Sequence, residues 1–207
     1  MDLGRPYATV CPTLDGEILV TLGGTTRPLT GRELSRLVRH GSQTGVNKAL
    51  QRLVDHGIVQ RQEAGRAMLY SLNREHLAAP AVETLSGIRA ELIRRLSSAF
   101  ETWKLRPVHA SLFGSAARGD GDTESDIDLF VVRPPAAERQ EDVWRRQLED
   151  LAGKVHRWTG NQAGISEVGK AEVARLRRTK PKVVEELKND GVTLFGEPIT
   201  ALVGGRQ

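Results

Sequence analysis

Cysteine is nearly absent from this chain: Cys11 is the only one in 207 residues, so no disulfide can form within it and the fold must rest on packing. The five histidines stand without close Cys/His spacing, which argues against a structural zinc site. Long apolar runs are missing as well. The longest stretch of large apolar residues is Leu129-Phe130-Val131-Val132, far short of the ~20 that cross a bilayer. No charged-then-apolar leader opens the chain, and no internal repeat or low-complexity tract interrupts it. The expectation is a cytoplasmic protein with no membrane partner. Neither sign of charge dominates: 30 Lys and Arg oppose 26 Asp and Glu, for a net +4. That balance is compatible with a nucleic-acid partner without demanding one. With 39% hydrophobic and 27% charged residues, the chain can bury a core in one large domain or two small ones.

The elements before Pro80 are short. Leu14, Ile18, Leu19 and Leu22 fit one face of a helix that Gly23-Gly24 ends. Thr30-Gly31-Arg32-Glu33 has capping-box spacing, in which threonine oxygen and glutamate carboxylate each satisfy an orphan backbone N–H, and predicts a helix to about Arg39. Gly41 breaks it. Ser42 can cap a third helix whose stripe of Val46, Leu50, Leu53 and Val54 runs until Gly57. Residues 58–62 and 68–72 then read as strands of a hairpin turning through Ala64-Gly65-Arg66.

Three helices followed by a hairpin with a basic tip resemble a winged helix-turn-helix domain from about Thr13 to Leu77. Between Arg27 and Leu53 stand six basic residues (Arg27, Arg32, Arg36, Arg39, Lys48, Arg52) and one acid, Glu33. Phosphates attract such a face. If the apolar stripe of the third helix points inward, Gln43, Thr44, Asn47, Lys48, Gln51 and Arg52 point out, the amides and hydroxyl suited to base edges in a major groove. Arg66 at the hairpin tip can reach a neighbouring phosphate or minor groove. A solvated helix is also polar, and winged helices also serve as docking or dimerisation modules. The basic, amide-rich set favours DNA.

Val82, Leu85, Ile88, Leu92, Leu96, Ala99 and Trp103 keep steps of three or four and predict one long helix that ends at Leu105-Arg106-Pro107. Strands and helices alternate beyond it: strands over 108–113, 127–132 and 163–168, helices over 137–158, 170–178 and 180–189, with Gly160-Asn161 read as a turn. The expected organisation is a DNA-binding domain over 1–79, a connecting helix over 80–106 and a small α/β domain over 107–207. His109 reads as a packed histidine, and Trp103, Trp144 and Trp158 as core or contact residues, with base stacking the other possibility.

The informative stretch runs from Leu112 to Leu129. A strand that ends in Gly114-Ser115 and turns into a helix offers backbone N–H groups and a hydroxyl to a phosphate, and glycine allows close approach. Arg118 can add its guanidinium fork to the same anion. Asp126 and Asp128 stand two apart at the start of a strand, so both carboxylates take one face. Paired carboxylates suit a hard divalent cation, and magnesium in particular is held by one or two carboxylates plus substrate phosphates. Asp120, Asp122 and Glu124 continue the acidic run but read as a solvated loop that ligates nothing.

Gly114-Ser115-x-x-Arg118-Gly119 followed by Ser125-Asp126-Ile127-Asp128-Leu129 resembles the signature of the DNA polymerase beta nucleotidyltransferase superfamily, in its minimal form, over roughly 107–198. The resemblance implies an α/β (α+β) fold: an N-terminal winged helix followed by a small nucleotidyltransferase-type mixed sheet flanked by helices. It implies that Gly114 and Ser115, with Arg118, hold an NTP, and that Asp126 and Asp128 ligate two magnesium ions, with manganese as a substitute. It also implies a third acid on the adjacent strand. Glu167 is the only acid there and is the candidate third catalytic carboxylate, although the hydrophobic pattern aligns Gly164 with that position.

Two functions follow. One is a magnesium-dependent nucleotidyltransferase that moves an NMP group from an NTP to a hydroxyl on a protein, RNA end or small molecule, coupled to a DNA-binding winged helix; minimal members resemble antitoxins with a partner protein. The other is a winged-helix transcriptional regulator, a possible homodimer, whose nucleotidyltransferase-like domain senses nucleotide or mediates assembly without turnover.

Overall fold

The computed structural model describes every residue except 40, 180 and 204–207, and leaves out the side chains of 177 and 203. The first residue of the helix expected over 180–189 therefore lies outside the described residues. The chain divides into two compact units, Arg5–Ala90 on one hand and Met1–Gly4 with the chain from Glu91 onward on the other. Residues 1–4, grouped with the first domain on sequence, thus pack with the second unit, where Leu3 is buried. Residues 80–90, expected in a connector, lie in the first.

In the first unit α1 (Leu14–Gly23) starts at Thr13, whose hydroxyl accepts the Gly16 N–H. A two-residue strand β1 (Leu29–Thr30), not anticipated from sequence, leads into α2 (Gly31–Leu37). The capping box is complete: Thr30 Oγ1 accepts Glu33 N–H at 3.2 Å and Glu33 Oε2 accepts Thr30 N–H at 2.7 Å. The Thr30 backbone and hydroxyl, then Arg27, hold the Glu33 carboxyl down to about 2. Ser42 caps α3 (Gln43–Asp55). A hairpin follows of β2 (Val59–Ala64) and β3 (Ala67–Leu72), in which Ala64 faces Ala67 across Gly65-Arg66 and Gly65 takes φ +61°. β1 adds to β3, giving an antiparallel sheet ordered β1-β3-β2. Ile18, Leu22, Leu34, Val46, Leu50 and Leu72 fill its core together with Val82 from α4 (Ala79–Ser86).

The single long helix expected from Val82 to Trp103 is two helices: α4 closes where the Gly87 N–H bonds the Glu83 and Thr84 carbonyls, and α5 runs Ile88–Glu101. Val82 belongs to the first core, whereas Leu92, Leu96, Ala99 and Phe100 belong to the second. The three-to-four spacing continues through the break because each helix buries a stripe of its own.

The second unit contains a mixed sheet of β4 (His109–Leu112), β5 (Ile127–Val132), β6 (Ala163–Val168) and β7 (Val192–Gly196), ordered β6-β5-β4-β7. β5 and β6 are parallel and joined through α7 (Glu141–Thr159); the other pairs are antiparallel. Alternation along β5 sends Ile127, Leu129 and Val131 into a core shared with α5 and α7. Phe130 and Val132 face a smaller cluster built with α8 (Lys170–Thr179), α9 (Lys182–Asn189) and the short α10 (Ile199–Val203). A sheet covered on both faces explains why β5 is so continuously apolar. Trp103 meets Trp144 edge-on at 5.2 Å within the core shared with α5 and α7, and Trp158 lies under the Arg95 guanidinium, so the tryptophans serve packing.

His109, fully buried in β4, donates Nδ1–H to the Glu197 carbonyl at 2.6 Å, which leaves Nε2 to accept the Ser111 hydroxyl at 3.1 Å. Burial lowers its pKa, partly opposed by the Glu197 hydrogen bond. The unfolded chain then binds more protons than the folded one just below the ordinary histidine pKa of about 6.5, so stability is present above that pH and is lost as the pH falls toward the folded pKa. The melting temperature of the second unit should drop between pH 7.5 and 5.5, and His109→Gln should flatten that drop. Leu96→Ala, at a fully buried α5 position, should cost about 2–5 kcal/mol in chemical denaturation.

Candidate active site and nucleic-acid face

β4 delivers the chain to Phe113, and the tight turn into α6 (Gly114–Arg118) begins at Gly114 with φ +66°, a conformation open to glycine. The turn packs against β5. A Cβ on Gly114 would stand 2.6 Å from Asp128 Oδ2, and one on Gly164 of β6 would stand 2.8 Å from Asp128 Oδ1. Gly164 pairs with Asp128 in the parallel register, and a Cβ there would also lie 4.0 Å from Asp126 Oδ2. Gly114, Gly164, Asp126 and Asp128 are thus neighbours on one sheet face. Ser115 lies beside the acidic loop, its hydroxyl 3.0 Å from where a Gly121 Cβ would be.

Glu167 is not in this group. It pairs with Val131 on the α7 face, where its Oε1 accepts the Trp144 indole N–H at 2.8 Å and meets Arg133 at 3.4 Å. Period two decides it: Glu167 is three positions beyond Gly164, an odd step, so the two take opposite faces. The position facing both aspartates holds glycine, and among the described residues no group of three His, Cys, Asp or Glu is arranged to hold a metal.

The electrostatics are those of a site short of positive charge. Burial first, then the charges of Asp126 and Glu186, push the Asp128 carboxyl above its usual range, against the pull of Arg118. Arg118 is partly engaged, donating Nε–H to Asp120 at 3.1 Å with Asp190 3.8 Å away. Asp122 faces inward to its own loop, accepting from Ser125 Oγ and from the backbone of Glu124 and Ser125, which hold its carboxyl below the ordinary value.

The residues expected to meet DNA separate into two sets. Arg32, Gln43, Asn47, Arg66 and Tyr70 line one cleft of about 530 Å³ between α2, α3 and the hairpin. Gln43 Nε2 there donates to Asn47 Oδ1 at 3.0 Å, and Thr44 and Lys48 are exposed on the same helix. Arg52 instead donates from one nitrogen, Nη2, to both Asp15 carboxylate oxygens at 2.7 and 2.8 Å, and Gln51 donates to Asp55 and accepts from Arg61. A sequence pattern reports that Arg52 is exposed but not that Asp15, 37 residues earlier, occupies it.

Gly114→Ala places a side chain in a left-handed conformation and against Asp128; it should cost roughly 1–3 kcal/mol, measured by denaturant unfolding of the second unit.

A comparison with curated proteins finds no match to the chain. Residues 91–192 match the family model of the nucleotidyltransferase domain. That span holds Gly114, Ser115, Arg118, both aspartates and Gly164, and the unit that contains it has the mixed α+β fold of a nucleotidyltransferase-type domain.

Proposed function

We propose that this protein is a magnesium-dependent nucleotidyltransferase that moves an NMP group from an NTP to a hydroxyl acceptor, coupled to a DNA-binding winged helix. The observation that carries the reading is the pair Asp126 and Asp128 beside the Gly114-Ser115 turn, within a matched nucleotidyltransferase domain. The donor set fits magnesium: two hard carboxylates on one face, one of them with its pKa raised by burial and then by the other's charge, and no third protein ligand among the described residues. That is the chemistry of an ion completed by substrate phosphates and water. When bound, the ion supplies charge neutralisation at the triphosphate and acidifies the attacking hydroxyl.

The chain's own residues would do the rest. Asp126 and Asp128 hold the cation, Gly114 lets the triphosphate approach the backbone, Ser115 offers its hydroxyl, and Arg118 adds positive charge at the edge. The acceptor oxygen bonds to the α-phosphorus, the bond from that phosphorus to the bridging oxygen breaks, pyrophosphate leaves and the hydroxyl proton goes to solvent.

The second reading, nucleotide sensing without turnover, is favoured by Gly164: where a third carboxylate would face the aspartates there is no side chain. Incubation with each α-labelled NTP and magnesium, with and without cell extract, separates the two. The enzyme should transfer label, and Asp126→Asn with Asp128→Asn should reduce transfer at least a hundredfold. Metal-dependent NTP binding with no transfer under any condition would select the sensor.

For DNA, the support is the basic face between Arg27 and Leu53 and the cleft that gathers Arg32, Gln43, Asn47 and Arg66. Arg66→Ala should weaken binding and reduce the salt slope by about 1. Arg52→Ala should change binding much less, because that guanidinium is held by Asp15.

A further inference from the structure

Asp126 is useful only if the strand start that carries it is held still, and the backbone on its two sides is held by consecutive residues of one segment. Behind it, the Ser125 carbonyl accepts Asn161 Nδ2 at 2.9 Å. Ahead of it, the Ile127 N–H donates to the Gln162 carbonyl at 2.8 Å. Asn161 is 3% exposed, and the same amide lies 3.3 and 3.4 Å from the carbonyls of Asp122 and Thr123. Its other atoms are also engaged: Oδ1 accepts from the nitrogen of Met1 at 2.7 Å, and the backbone N–H donates to Thr159 Oγ1 at 3.0 Å. That hydroxyl is itself bonded to Val155 O within α7. One buried amide therefore ties three carbonyls of the acidic loop to the end of α7.

We infer that Asn161 is the positioning residue for Asp126, setting how well the carboxylate pair holds a divalent cation. The inference rests on the metal-binding reading of that pair. The loop from Asp120 to Glu124 carries three acids and no base. Left to itself it would open to spread like charges, and its inner turn around Asp122 and Ser125 is too local to set the position of the strand. A neutral donor suits this place. It satisfies carbonyls without presenting a positive charge that would compete with the cation, and in the interior an unpaired carbonyl is costly.

The test uses the full chain with Asn161→Ala and Asn161→Ser, the second keeping a small polar group in case the first does not fold. Asn73→Ala is the control, removing a comparable amide-to-carbonyl bond, Asn73 Nδ2 to Gly57 O at 2.8 Å, in the other unit. Binding of Mn²⁺ alone is read by electron paramagnetic resonance, and backbone amide exchange is read over residues 124–127. Both Asn161 variants should weaken Mn²⁺ at least fivefold and speed exchange at least tenfold. The control should do neither, whatever it does to the melting temperature. Where label transfer is measurable, excess Mg²⁺ should restore it in Asn161→Ser and not in Asp126→Asn. Wild-type Mn²⁺ affinity and wild-type exchange in the Asn161 variants would overturn the inference, as would equal effects in Asn73→Ala. If the unaltered protein binds no Mn²⁺, the metal reading fails by itself, and the exchange rates alone then decide whether Asn161 positions the strand.

Discussion

Each oxygen of the Asp128 carboxylate lies against a residue that has no side chain, Oδ2 against Gly114 and Oδ1 against Gly164. The arrangement ties three elements together, since Gly114 opens the turn after β4, Asp128 belongs to β5 and Gly164 to β6. A side chain at either glycine would meet the carboxylate well inside van der Waals contact and push it out of line. With both absent, the sheet can carry ionisable groups on the face where the turn passes.

Such a site has an electrostatic cost. Burial and the charges of Asp126 and Glu186 disfavour the ionised form of Asp128, and the neighbouring loop adds further acids. The structure meets part of that cost with neutral donors. Asp122 is stabilised as a carboxylate within its own turn by Ser125 and two backbone N–H groups, and Asn161 collects the loop carbonyls. The remaining deficit of positive charge is a property of the open site, and the divalent cation we propose there is the species whose charge would answer it. Glu167, which would have deepened the deficit, is spent elsewhere, anchoring Trp144 and Arg133 on the opposite face.

The small net charge of the whole chain conceals a separation. Residues 120–128 hold five acids and no base, while Arg27 to Leu53 carries six bases and one acid. These belong to different units. Within the basic unit the charge is sorted once more: Arg52 is drawn into an ion pair with Asp15, whereas Arg32 and Arg66 line a cleft with Gln43 and Asn47. An average over the chain reports none of this.

Local signals were legible in the amino-acid sequence wherever the deciding forces act over a few residues. Capping at Thr30 and Ser42, the hairpin turning at Gly65, the apolar β5 and the same-face pair Asp126 and Asp128 all follow from spacing and side-chain chemistry. What sequence could not decide were questions of register and of which core claims a side chain. The stripe from Val82 to Trp103 looks continuous yet divides at Gly87 because its two parts face different cores. The edge strand β7 and the pairing of β1 depend on partners far along the chain. Asn161 reads as half of a turn dipeptide until the carbonyls of residues 122–125 are brought to it. The sequence by itself determined the capped helices, the hairpin, the segregation of charge and the two aspartates, because those are set by neighbours along the chain. Only the tertiary structure decided that Gly164 and not Glu167 faces them, because a parallel register fixes which residues of adjacent strands share a face.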